Sequence, residues 1–219
     1  MARPPARSRR RDSRAAVLAA ARTEFAARGF SGAGVDRIAA RARVNKAMIY
    51  YHFQSKLGLY HEVIRGSIAD LATELEAATA AAATPTAKIE AYVHALLQAA
   101  DRQPHLAPMM LREMAGGGRN LDPDTLRQML GLVHIVGGVL AEGRAKGEFR
   151  ALDPVLTHLM IVGSSLIYVA NAPMRARLYR LRPRGGVQVP IGIEPFAQHL
   201  TLVLRRSLCE TGEELSGHA

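Results

Sequence analysis

"ARVNKAMIYYHFQSKLGLY", residues 42 to 60, sets Tyr50, Tyr51, His52 and Phe53 in consecutive positions between Lys46 and Lys56, in a chain that is only 5% aromatic. Consecutive residues on a helix point about 100° apart, so no one buried face takes all four rings. Ile49 and Phe53, four apart, make the inward pair, which leaves Lys46, Ala47, Tyr50 and Tyr51 on the other side. Asn45 stands where a side chain caps such a helix, from Lys46 to about His52. Just before it, Val35, Ile38, Ala39 and Ala42 recur at i, i+3, i+4 and i+7, an amphipathic helix of two turns. Two short helices across a tight turn describe a helix-turn-helix, whose second helix puts its first residues into the DNA major groove.

Tyrosine suits the outward face, because a flat, stiff ring packs on sugar or a thymine methyl while its hydroxyl bonds a phosphate oxygen. Tyr50, His52 and Lys56 are expected to touch the backbone, and Lys46, Ala47 and Tyr51 to meet bases. Ser55 can cap the next helix, whose free N–H groups also favour a phosphate.

The charge agrees with this. Residues 1 to 65 carry 14 Lys/Arg and 4 Asp/Glu, so the whole formal charge of +10 sits in the first third, while the remaining 15 and 15 cancel. Segregated charge of this kind describes a polyanion-binding module joined to a neutral body. One cysteine, Cys209, allows no intramolecular disulfide and no Cys-rich zinc site. The apolar run from Ala15 to Ala21 ends at once in Arg22 and Glu24, so it reads as helix and not as a leader. The stretch 159 to 173 is shorter than the roughly 20 residues needed to cross a bilayer. A soluble, cytoplasmic protein without a membrane partner is expected.

Helix formers dominate and period-two alternation is scarce, which predicts an all-α chain. Residues 1–11 form a basic, proline-broken arm, expected to be unstructured in the free protein and to follow the backbone or enter a minor groove in the complex. A first helix runs from about Asp12 to Arg28, with Val17, Leu18, Ala21 and Phe25 on one face and Gly29 as its stop. Lys56 opens a long helix reaching to about Ala83. Thr84-Pro85, Asp122-Pro123, Asp153-Pro154 and Glu194-Pro195 mark four further helix starts. Pro104 opens a short helix that the glycines 116 to 118 end, and 182 to 194 reads as a loop.

Residues 12 to 65 resemble the DNA-binding domain of the TetR family of bacterial transcriptional regulators. The matching stretches are "AAVLAAARTEFAARGF", "VDRIAARARV" and "KAMIYYHFQSKLGLYHEVI". The resemblance implies a three-helix helix-turn-helix domain (12–58) joined to a roughly six-helix ligand-binding and dimerisation domain (59–211), with a tail at 212–219. It also implies a homodimer, a palindromic operator in double-stranded DNA, and a small effector that tilts the helix from Lys56 onward and releases the DNA. The chain departs from the family at several positions. Gly34 stands where the family has Thr or Ser, so only the backbone at Gly34 and Val35 is left to meet phosphate. Arg43 stands in the turn where the family has glycine, at a cost of ~1 kcal/mol if φ is positive there. Asn45 replaces a serine cap and Ala47 a glycine.

In the family the last two helices make the intersubunit bundle. Here these are Pro154 to Asn171, with Leu156, Leu159, Met160, Gly163 and Ile167, and Pro195 to Glu210, with Phe196, Leu200, Val203 and Leu204. For a mostly apolar effector, Met109, Met110, Met114, Met129, His134 and Tyr168 are the candidate lining. The histidines show no metal-ligand spacing, and no acid, base and nucleophile set occurs, so neither enzyme, metal nor cofactor is expected. The competing reading is a helical interaction or lipid-binding module whose basic end meets anionic membrane.

Overall fold

The computed structural model describes the backbone of residues 6–181 and 192–209, with side chains from Asp12 onward. All ten elements among the described residues are helices: α1 (Ala6–Gly32), α2 (Val35–Ala42), α3 (Lys46–Phe53), α4 (Lys56–Ala81), α5 (Pro85–Arg102), α6 (Leu106–Ala115), α7 (Pro123–Ala145), α8 (Pro154–Ala170), α9 (Ala172–Leu181) and α10 (Glu194–Leu208). The predicted caps form. Ser55 Oγ accepts from Gly58 N at 2.9 Å, Thr84 Oγ1 from Ala87 N at 3.2 Å, Asp122 Oδ1 from Thr125 N at 2.8 Å, and Asp153 Oδ1 from Leu156 N at 2.8 Å. Each satisfies an amide that the first turn leaves open.

Three expectations need correction. The arm was expected to be unstructured through residue 11, yet α1 begins at Ala6; after Pro5 nothing breaks a run of Arg, Ala and Ser, and residues 1–5 lie outside the described ones. Glu194 does not cap α10 but occupies its first turn, with Ile193 before it making no side-chain cap. A helix not foreseen, α9, follows α8, and none of its residues is buried. The break at Gly29 is as read: φ 68° and ψ 177° interrupt α1 there. A Cβ at that position would also lie 3.2 Å from Arg112 Cδ.

The chain forms two compact units. The first comprises residues up to Ala69 together with Gln103–Gln128. Its core is Val17, Ala21, Phe25, Ile38, Ile49 and Tyr60, all at most 1% exposed. Phe25, Phe30 and Tyr60 pack edge-on and tilted, with Tyr60 centred 4.8 Å from Phe25 and 5.2 Å from Phe30. Helix α6 joins this unit through its polar side chains. Buried Glu113 accepts from Tyr60 Oη at 2.7 Å and from Asn120 Nδ2 at 3.0 Å. Arg112 donates to the carbonyls of Ala26 and Ala27, which the break at Gly29 leaves open. The 58/59 boundary read from the sequence falls inside α4, and the first compact unit extends past it and takes in α6.

The second unit comprises Asp70–Arg102 and the residues from Met129 on. Helix α5 lies against α8 and α10, burying Ile89, Tyr92, Val93 and Leu97 on one side. Tyr92 Oη and His158 Nδ1 share a hydrogen bond of 3.3 Å inside it.

Candidate nucleic-acid interface

The turn between α2 and α3 answers the question that Arg43 raises. Arg43 takes φ 55° and ψ 41°, the left-handed conformation that glycine holds more cheaply. Its N–H returns to Ala40 O at 3.2 Å and that of Val44 to Ala39 O at 3.1 Å, which satisfies the last carbonyls of α2. The turn therefore takes the left-handed shape without a glycine. Asn45 then caps α3, its Oδ1 accepting from Ala47 N at 2.9 Å.

Helix α3 also ends on a left-handed residue. Gln54 has φ 65° and ψ −41°, with Ser55 N bonded to Phe53 O at 2.7 Å in a γ-turn. Gly58 lets α4 start against that turn, since a Cβ there would fall 2.3 Å from Phe53 O. Thus α3 is held at both ends by tight turns, and beneath by fully buried Ile49 and nearly buried Phe53.

The ten expected DNA contacts lie on α2 and the residue before it, α3, the turn and the start of α4, and three interactions tie these elements to one another and to α1. Lys46 Nζ pairs with Asp36 Oδ1 at 2.8 Å, which raises its pKa through that hydrogen bond and charge. Lys56 Nζ donates to Ser31 O at 3.3 Å and sits 4.8 Å from the centre of the Phe30 ring. Burial lowers its pKa, and the neighbouring Arg37 charge lowers it further. Arg37 was absent from the expected set. Its Nε bonds the buried Glu24 at 2.5 Å, and its Nη2 donates to Gly32 O at 2.6 Å. Burial alone would raise the Glu24 carboxyl, but Arg37, the Gly34 N–H and Arg28 outweigh it and hold it below its ordinary value. An exposed arginine in the first turn of α2 was the signal available in the sequence.

Tyr50 and Tyr51 are 45% and 57% exposed, while Arg43, Asn45, Lys46 and Ala47 also face solvent. Gly34, Val35 and Lys56 are half-buried. Gly34 is extended and makes no side-chain cap, as its lack of a hydroxyl requires. His52 is half-buried too: its Nε2 lies 3.0 Å from Ser13 Oγ, and its ring leans on those of Tyr51 and Phe53. The site thus presents two phenol rings and several cations around a short, firmly seated helix, a surface suited to phosphate contact and base reading.

The other expected sites divide. Met109, Met110 and Met114 belong to the first unit and Met129, His134 and Tyr168 to the second. Met109 and Met110 are buried, whereas Met114 and His134 are exposed. Tyr168 stacks on Phe196 at 4.2 Å and donates to Gly192 O at 2.6 Å. On α8, Leu156, Leu159, Met160 and Ile167 are exposed, and Gly163 is half-buried. On α10, Val203 is exposed and Phe196 half-buried, but Leu200 and Leu204 were read on the wrong side. Both are buried in their own chain, on the side of α10 that α5 covers, and Leu202 faces outward instead. Among the described residues no single helix is long and apolar enough to cross a membrane; α8 and α9 together are, but they meet at a 60° bend.

Known proteins share both parts. Residues 17–63 match the family described as "Bacterial regulatory proteins, tetR family", and residues 85–184 match "Tetracyclin repressor-like, C-terminal domain". The HTH-type transcriptional repressor SCO4008 of Streptomyces coelicolor is 32% identical over 169 residues, 76% of this chain and 82% of that one. RutR of Escherichia coli, an HTH-type transcriptional regulator, is 28% identical over 158 residues, 72% and 74% of the two chains. The fold is also that of FadR from Bacillus subtilis, solved with stearoyl-CoA, at a TM-score of 0.68 and 19% identity over 88% of this chain and 98% of that one. A helix-turn-helix on a helical body, similar over most of its length to these regulators, settles the kinship: the chain belongs to the TetR family of transcriptional regulators, non-enzymatic proteins that bind DNA.

Proposed function

We propose that this regulator is a dimeric repressor that holds a palindromic operator through α3 of each subunit and leaves it when a small, mostly apolar molecule binds. The observation that carries the DNA reading is the outward pair Tyr50 and Tyr51, flanked by Lys46, Lys56 and Arg37, on a helix fixed by turns at both ends. Lys46, Ala47 and Tyr51 read bases, and Tyr50, His52, Lys56 and Arg43 hold phosphates, with the backbone of Gly34 and Val35. Lys46 must leave Asp36 to do so, an exchange of one exposed ion pair for a base contact that costs little.

The dimer is supported by the aliphatic face of α8, with Val203 and Leu202 of α10: exposed, large and free of charge. Pairing two such faces sets two recognition helices at one fixed spacing, as a palindrome requires. Support for an effector lies in the second unit. On α8, which carries no charged residue, the Ser165 hydroxyl is buried with no hydrogen-bond partner among the described residues, on the same face as His158 and its bond to Tyr92. A mostly apolar molecule with one polar end suits such a lining. Its binding would shift α4, which runs from Lys56 beside the recognition helix into the second unit, and so change the half-site spacing.

Selection of bound duplexes from a random pool, followed by gel shift of the winner with a metabolite panel, tests the proposal. The expected result is one palindromic consensus and loss of the shifted band with at least one apolar compound. Binding without sequence preference would overturn it.

A further inference from the structure

A cleft of about 550 Å³ opens in the second unit beside the carboxyl-terminal half of α7, with Pro154 of α8 in its wall and none of Tyr92, His158 and Ser165 in its lining. Its first wall follows from spacing. Gly137, Leu140, Ala141, Arg144 and Ala145 recur at i, i+3, i+4, i+7 and i+8, one stripe of α7, and three of the five are too small to fill the groove they border. The second wall is the returning chain, with Arg150, Leu152 and Pro154.

Gly147, at φ 69°, ends α7, and the N–H of Glu148 closes on Gly143 O at 2.9 Å. The next residue, Phe149, is buried where a side chain on Gly143 would stand; a Cβ there would be 2.1 Å from the ring. Arg150 N then donates to Leu208 O at 2.9 Å. The return segment is thus pinned by a seated ring and a backbone bond, and the groove beside it is built, not incidental.

Its chemistry is two-sided. Leu140, Leu152 and Pro154 supply apolar surface. Arg144 and Arg150 supply two guanidinium groups, and neither has a carboxylate partner among the described residues. Three acids lie nearby: Glu142 bridges Lys88 and Lys146, Asp153 caps α8, and Glu148 acts on Lys146 without pairing with either arginine among the described residues. A volume within the roughly 300–1,000 Å³ of small-molecule sites, an apolar floor and two unpaired cations fit one class of ligand.

We propose that this cleft binds an amphipathic anion, a carboxylate or phosphate monoester carrying an unbranched apolar chain, with the head between Arg144 and Arg150 and the chain along the small-residue stripe of α7. The site stands apart from the effector reading above and does not depend on it.

Calorimetric titration of the full chain, without DNA, with decanoate, decyl phosphate and decanol tests this. One saturable site per chain is expected for at least one of the anions, which tells carboxylate from phosphate, with decanol roughly tenfold weaker or worse. R144Q with R150Q should weaken the preferred anion by roughly tenfold, and A141L, which fills the groove from an exposed position, should do the same while the circular dichroism spectrum stays unchanged. Absence of saturable binding, equal binding of decanol, or wild-type affinity in both variants would overturn the proposal. Because no DNA is present, failure of the operator reading leaves this result untouched.

Discussion

Helices α3 and α8 both show large apolar groups to solvent, and they do so for opposite reasons. On α3 the exposed groups are phenols, Tyr50 and Tyr51, with Lys46 close to Tyr50 and the chain's excess of Lys and Arg in the same third of the sequence. On α8 they are aliphatic, with Leu156 67% and Ile167 56% exposed, and the helix carries no Asp, Glu, Lys or Arg. A ring with a hydroxyl tip among cations matches a phosphate-edged groove; aliphatic side chains without charge match another such surface. The same measure, exposed apolar area, therefore points to DNA in one place and to protein in the other, and the neighbouring charge decides between them.

The comparison breaks most visibly if a charge is put on α8. Leu156→Glu or Ile167→Glu is expected to leave a folded monomer in sedimentation equilibrium and to lower operator affinity by roughly a hundredfold, because two linked recognition helices become one. A dimer that persisted would detach α8 from that role. On the other face, Lys46→Ala or Tyr51→Ala should weaken operator binding about tenfold, while the sedimentation profile stays that of the dimer.

Each unit also holds a histidine whose pKa lies below its ordinary value. His105, bonded to Ser67 at 3.1 Å, is pushed down to about 4 by burial and then by the Arg22 charge, and burial lowers His158 of α8 as well. A histidine whose folded pKa lies below its unfolded value contributes stability that is complete above about pH 6.5 and is lost as the pH falls toward 4. Melting curves should accordingly show a falling Tm across that window. His105→Gln should flatten the fall by an amount on the order of 1 kcal/mol. The smallest effect belongs to the turn. Arg43→Gly should relieve the left-handed strain and stabilise the chain by ~0.5 kcal/mol in denaturant melts, while reducing operator affinity through the lost cation.

The sequence announced α3 more clearly than α8 and its surroundings, and the reason is physical. A helix that must show rings outward cannot hide the pattern, and its cap at Asn45, like that of the next helix at Ser55, is a local signal that any neighbourhood would obey. Which side of α10 turns inward is not local. Leu200, Val203 and Leu204 share one broad stripe, and only the placement of α5 shows that the first and last belong to the subunit's own core. Helix α9 escaped because it buries nothing, so no apolar stripe against a core marked it out. Arg37 escaped because its partner, the buried Glu24, lies 13 residues away on another helix. Arg43 could be placed in the turn from the sequence, but that the turn would keep its left-handed shape without glycine needed the backbone itself.

The claim that α3 reads the operator is tested most directly by repeating duplex selection with the Lys46→Ala chain beside the wild type. The account predicts the same palindrome with base preference lost at one symmetry-related pair of positions, because one side chain is removed from each half-site. An unchanged consensus at every position, at unchanged affinity, would contradict it.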